Sequence, residues 1–102
     1  MEPVGPAGSG GRGPLEARHV YVLMCADGQL YTGSTGDLEE RMGRHRRGEV
    51  PATVGRRPVE LCWSCWFPDK YAAYRFEKFL KSGSGRAFVW KRLLEARKPP
   101  SG

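Results

Sequence analysis

The sequence predicts a small α+β domain: a three-stranded, mainly antiparallel sheet flanked by helices in the order β-β-α-β-α-α. Three observations predict it. Two tyrosine-bearing β segments, His19-Val20-Tyr21-Val22-Leu23-Met24 and Leu30-Tyr31-Thr32-Gly33, flank an Asp27-Gly28 turn. A Trp-rich apolar run, Val59 to Phe67, reads as a third strand. Between and after these strands lie runs with helical spacing, opened by capping residues and closed by Gly or Pro.

The first strand spans about His19 to Met24, and the return strand Leu30 to Gly33. A two-residue Asp27-Gly28 loop would put Tyr21 and Tyr31 on opposite faces of the sheet. A three-residue loop, Ala26-Asp27-Gly28 with Gly28 left-handed, sets Leu23 opposite Tyr31 and gives both tyrosines one face as diagonal neighbours. The second arrangement is expected. Ser34-Thr35-Gly36 reads as a loop. Asp37-Leu38-Glu39-Glu40 then begins a helix with capping-box spacing, which runs to about Arg47 and ends at Gly48. Leu38, Arg41, Met42 and His45 fall within about 60° of arc on that helix.

Glu49 to Arg57 reads as an exposed, mobile loop carrying two arginines. A second helix follows from Lys70 to about Lys81, with Asp69 as N-cap. Its narrow apolar face carries Ala73, Phe76 and Leu80, and Glu77 sits in the same arc. Ser82-Gly83-Ser84-Gly85 reads as a break, after which Ser84 caps a third helix from Arg86 to about Arg97.

The chain has 102 residues, with 17 Lys and Arg against 11 acids and a net charge of +6. Residues 1–17 are rich in Gly and Pro and lack apolar periodicity, so they read as a disordered tail. The folded domain is expected over 18–97, with a short tail at 98–102. No apolar run approaches the ~20 residues of a membrane span, and the first stretch lacks the apolar segment of a signal peptide, so a cytoplasmic location is expected. The basic surplus favours a polyanion partner, although solubility alone also explains it. Arg44, Arg46, Arg47, Arg56 and Arg57 are the candidate nucleic-acid contacts. Cys62 and Cys65 have metal-site spacing, but they lie in a strand and would point to opposite faces unless a bulge intervened, so no zinc site is expected.

Glu77 on an apolar stripe has two readings. It forms an ion pair (Arg41 being the obvious partner) or sits at an edge, or else it is a ligand for a hard cation such as Mg²⁺ held by one carboxylate and several waters. Arg41 either anchors a buried ion pair or grips a phosphate. His45 is a satisfied core histidine, or it orients or deprotonates a water. Tyr21 and Tyr31 are packing residues, or their phenols relay a proton or bind phosphate. Taken singly, each is ordinary. Four polar residues facing one sheet would make a poorly satisfied core without a purpose.

This constellation resembles the GIY-YIG nuclease superfamily, and within it the small stand-alone bacterial GIY-YIG endonuclease-like proteins. The likeness covers about Arg18 to Leu94. His19-Val20-Tyr21 stands at the first motif, without its glycine, and Tyr31-Thr32-Gly33 at the second. Leu38-Glu39-Glu40-Arg41 followed by His45 resembles the Arg–His helix. Ala73 to Gly83, with Glu77, is similar to the metal-Glu helix, and Gly85-Arg86-Ala87-Phe88 to the signature after it. The resemblance implies a metal-dependent endonuclease cutting DNA, structure-selectively in repair or recombination. Tyr21 would act as general base or activate water with Tyr31 and His45, Arg41 would hold the phosphate, and Glu77 would bind one Mg²⁺ or Mn²⁺. The alternative is a catalytically latent nucleic-acid-binding or partner-docking module, with a protein partner and RNA both left open.

Overall fold

The computed structural model describes residues 17–94. The expected N-terminal tail, apart from Ala17, and everything expected after Leu94 lie outside the described residues. Strands β1 (Arg18–Met24), β2 (Leu30–Thr35) and β3 (Glu60–Phe67) form one antiparallel sheet in the order β2-β1-β3. Helices α1 (Leu38–Arg47), α2 (Lys70–Lys81) and α3 (Gly83–Phe88) flank it, and a π-helical turn continues α3 over Val89–Leu93.

The hairpin adopts the expected three-residue loop. Cys25 N–H donates to the Gln29 carbonyl at 2.9 Å, Gly28 N–H donates to the Cys25 carbonyl, and Gly28 takes φ +81°. Leu23 therefore pairs with Tyr31, and Tyr21 with Gly33. The β2 strand runs two residues past the expected end. Ser34 and Thr35 pair with Val20 and His19 because β1 offers a ladder there that local turn composition does not reveal.

As the central strand, β1 is covered on both faces, and Val20 to Leu23 are all fully buried. Val20 and Val22 pack with Ala73, Leu80, Val89 and Leu94, on the side of α2 and α3. Tyr21 and Leu23 pack with Met42, on the side of α1. Phe76 bridges β3 and α2 by ring contacts to Trp63, Phe67 and Phe79, and Phe79 in turn meets Phe88.

Asp37 caps α1 by accepting from Glu40 N–H at 3.1 Å, but the return half of the capping box is replaced, since Asp37 N–H donates to Thr35 Oγ1. Gly48, at φ +80°, closes α1 in the left-handed conformation. Asp69 caps α2 as expected, accepting from Tyr71 N–H.

Three expectations need correction. The first concerns α3, which starts at Gly83 under a Ser82 cap rather than at Arg86 under Ser84. Ser82 serves both helices, as its own N–H donates to the Phe79 carbonyl while its Oγ accepts from Gly85 N–H. Gly85 is buried because α3 turns tightly against the end of α2; a Cβ there would lie 1.7 Å from the Phe79 carbonyl oxygen. The second concerns the segment 49–57. It is not wholly exposed: Thr53 is fully buried, and a 3-10 turn, Val54–Arg56, follows it. The third concerns β3, where a bulge falls between Trp63 and Leu61 and breaks the alternation that separated Cys62 from Cys65. Among the described residues, no group of three or more potential metal ligands assembles.

Gly85→Ala is expected to destabilise the protein by at least about 1–3 kcal/mol, because the new methyl meets backbone rather than a flexible side chain. Gly83→Ala, with open space at its Cβ, should be neutral or stabilising by up to about 1 kcal/mol. Urea midpoints for the two variants check this, and equal midpoints would contradict the packing account.

Candidate active site

Hairpin register puts Tyr21 and Tyr31 on the α1 face of the sheet, with ring centroids 6.3 Å apart. One turn of α1 beyond Arg41, His45 points into the same space, and its ring lies 5.6 Å from Tyr21 and 5.4 Å from Tyr31, edge-on to both. A chain of polar contacts runs through it. Tyr21 Oη lies 2.9 Å from His45 Nε2, and His45 Nδ1 lies 2.7 Å from Thr53 Oγ1. Tyr21, His45 and Thr53 are all fully buried.

Arg41 can only donate, so a phenol oxygen that accepts from it would turn its own proton to His45 Nε2, leaving the imidazole proton on Nδ1 toward Thr53. Burial pushes the Tyr21 phenol up to about 12; the Arg41 guanidinium pulls against this, while the Tyr31 phenol and the Glu77 carboxylate add to it. Burial first, and the charges of Arg41 and Arg44 after it, push His45 below its ordinary value. The resting pair is therefore a neutral phenol on a neutral imidazole.

Gly33 is part of this geometry. The Tyr21 phenol passes directly over it, and a Cβ at Gly33 would lie 2.6 Å from Tyr21 Oη and 3.2 Å from the Tyr31 ring. Only glycine leaves that crossing open. Arg41 Nε is buried without a hydrogen-bond partner among the described residues. A guanidinium left with an orphan donor beside a phenol suits an anionic oxygen arriving from outside.

Glu77 arrives from the other layer. Its helix, α2, covers the Val20–Val22 face, and its carboxylate reaches the outer strand β2, where Ser34 Oγ donates to Oε1 at 3.0 Å. Its ion-pair partner is Lys81 at 2.9 Å, one turn along α2, and not Arg41 as expected. The structure thus groups Tyr21, Tyr31, Arg41 and His45 on one face, with Glu77 at the β2 rim from the opposite side. One carboxylate, left 16% exposed beside a serine hydroxyl, fits a hard cation that keeps most of its ligands as water and phosphate oxygen.

The candidate surface arginines lie around the end of α1 and the segment after it. Arg47 and Arg44 pair with Glu49, at 2.8 and 3.9 Å. Arg56 pairs with Asp27 of the hairpin loop at 2.9 Å, and this contact, after the Gln29 N–H, holds the Asp27 carboxyl below its ordinary range. Arg57 donates to the carbonyls of Val54 and Arg46, laying its guanidinium over Gly48. Arg46 is exposed beside it. Sequence reasoning missed Thr53, Ser34 and Lys81. Lys81 had a signal in its four-residue spacing from Glu77; Thr53 and Ser34 had none.

The family model described as "GIY-YIG catalytic domain" matches residues 17–92. A UPF0213 protein of Natronomonas pharaonis is 48% identical over 65 residues, covering 63% of this chain and 76% of that one. A UPF0213 protein of Streptococcus agalactiae is 40% identical over 70 residues, covering 68% and 80%. The solution NMR structure of a UPF0213 protein from Bacillus halodurans aligns at 33% identity over 82% of this chain and 88% of that one, with a TM-score of 0.48.

Gly33→Ala should push the Tyr21 phenol off His45 and cost about 1–3 kcal/mol, the penalty of a buried donor left unpaired; unchanged stability together with an unchanged His45 ring NMR spectrum would contradict this. The depressed His45 also gives stability a pH dependence. An unfolded histidine takes its proton near pH 6.5, and the folded one only at lower pH. The contribution is therefore complete above about 6.5 and is lost as pH falls through the folded value. Denaturant midpoints should drop between pH 7.5 and pH 5 in the wild type, and less so in His45→Gln.

Proposed function

Because the chain belongs to the GIY-YIG catalytic-domain family, a nuclease family, we propose that it is a metal-dependent endonuclease that hydrolyses phosphodiester bonds in DNA during repair or recombination. The observation that best supports this reading is Arg41, with a buried donor facing no protein acceptor among the described residues, next to a phenol and an imidazole already in hydrogen-bond contact.

The chemistry follows from those contacts. Arg41 takes a non-bridging oxygen of the scissile phosphate, and its planar fork stabilises the charge that builds on the equatorial oxygens. The attacking water gives its proton to the Tyr21 oxygen as the phenol proton passes to His45 Nε2. The oxygen–phosphorus bond forms in line with the one that breaks, and the leaving oxygen is protonated from solvent. In the resting site, the high pKa of Tyr21 and the low pKa of His45 both oppose this relay. An anionic phosphate opposite Arg41 offsets one of the charges that depress His45, so the relay becomes easier when substrate is bound. Thr53, accepting from Nδ1–H, would keep the imidazole in the tautomer whose Nε2 can accept, and Tyr31 packs the ring edge-on.

Glu77 is the residue that would hold Mg²⁺ or Mn²⁺, with Ser34 orienting its carboxylate; a bound ion would supply charge stabilisation at the leaving oxygen. Arg44, Arg46, Arg47, Arg56 and Arg57 would contact the backbone of the nucleic acid outside the cut. The Lys81 ammonium on Glu77 favours a second reading, a latent module in which the cation position is filled by the protein's own lysine.

Glu77→Gln is expected to lower cleavage of labelled DNA in Mg²⁺ or Mn²⁺ by 10²-fold or more, with binding changed less than about threefold. Cleavage at the wild-type rate by Glu77→Gln would remove the metal-ligand role. Wild-type binding without cutting, in either ion, would select the latent module.

A further inference from the structure

Helix α2 carries an uncommon surface. Tyr71 and Tyr74 are 60% and 56% exposed, and neither helps to build the core. A lysine lies over one face of each ring: Lys70 Nζ is 5.5 Å from the Tyr71 centroid, and Lys78 Nζ is 5.5 Å from that of Tyr74. At 100° per residue, Lys70, Tyr74, Glu77 and Lys81 share one stripe of the helix, with Tyr71 and Lys78 at its border. A hollow of about 440 Å³ opens beside this stripe, lined by Arg18, Ser34, Lys70, Tyr71 and Tyr74. Its Ser34 is the residue whose hydroxyl holds Glu77. The hollow and the candidate metal ligand are therefore neighbours through one hydrogen bond.

We propose that Tyr71 and Tyr74 are a stacking platform for unpaired bases of a strand whose scissile phosphate lies at Glu77, so that single-stranded or flapped nucleic acid is preferred over intact duplex. The proposal rests on the nuclease reading for the position of the cut, but not for the binding. An aromatic ring with an open face offers a nucleobase a stacking partner whatever its sequence, while cations beside it take the phosphates. Bases inside a duplex have no free face to present to these rings. The helix rise of 1.5 Å per residue sets Tyr71, Tyr74 and Glu77 at successive steps of ~4.5 Å along the axis. The cations around the rings, Arg18, Lys70 and Lys78, match a polyanion; an acidic protein segment would use the charges but would have less need of two flat, exposed rings.

The test is a binding measurement in the Glu77→Gln background without divalent metal, using one fluorescent twelve-nucleotide DNA as a single strand and the same sequence as a duplex. The single strand should bind more tightly than the duplex. Tyr71→Ala/Tyr74→Ala should weaken the single strand about thirty-fold or more and the duplex less than about threefold. The salt slope should be unchanged, since no charge is removed. Tyr71→Phe/Tyr74→Phe should restore single-strand affinity, because stacking needs the ring and not the hydroxyl. Equal losses for both substrates, failure of the Phe pair to restore affinity, or single-strand affinity untouched by the Ala pair would overturn the platform; the last result would assign the face to a protein partner. If this discrimination appears while wild type cuts nothing in Mg²⁺ or Mn²⁺, the platform stands and the nuclease reading falls. If wild type cuts but the Ala pair leaves the single-strand preference intact, the reverse holds.

Discussion

Tyr21 sits opposite Gly33 in the β1–β2 ladder, and its phenol crosses above that glycine to reach His45 on α1. The α1 face of the sheet depends on this crossing. It needs the three-residue hairpin loop, because a shift of one residue would send Tyr31 to the other face. It needs a residue without a Cβ at position 33. It also needs α1 to be held in register, which its caps at Asp37 and Gly48 do from the two ends. Once these are met, a buried phenol, a buried imidazole and a buried threonine satisfy one another in a line, and Arg41 is left beside them with an unused donor.

Burial gives this group its electrostatic character. A phenol at about 12 and a histidine below its ordinary value are poor proton-transfer partners at rest, and both shifts have the same leading cause, desolvation of the charged form. The next influences differ: Arg41 favours the phenolate and opposes the imidazolium. A phosphate at Arg41 would relax the second effect and weaken the first. The arrangement is thus sensitive to the charge of what binds, as expected where chemistry should wait for substrate.

The two layers contribute differently. The α1 layer holds the phenol, imidazole and threonine hydroxyl fully buried. The α2 layer offers its polar groups at the rim, where Glu77 is shared between Ser34 of the sheet and Lys81 of its own helix. Strand β2 lies between them as the outer strand of the sheet, with Gly33 facing one layer and Ser34 the other. Adjacent residues on a strand point to opposite faces, so two neighbours in sequence serve both halves of the candidate site.

Sequence alone determined what depends on neighbours a few residues apart. The hairpin loop, the Asp37 and Asp69 caps, the Gly48 stop and the helical stripe of Arg41, Met42 and His45 all follow from turn chemistry and periodicity, which are local. The folded chain decided what depends on distant partners. Thr53 became the second partner of His45 because the segment after α1 folds back beneath it, and a lone threonine in a Gly- and Pro-containing stretch carries no pattern that announces this. Lys81 displaced Arg41 as the partner of Glu77 because α1 and α2 lie on opposite faces of the sheet, a fact set by strand order and not by either helix. Turn composition placed the start of α3 at Arg86 under Ser84; the folded chain starts it at Gly83 under Ser82, where the Phe79 carbonyl lies so near Gly85 that only glycine fits. Periodicity shows which way a side chain faces along its own element; only tertiary packing shows what it meets there.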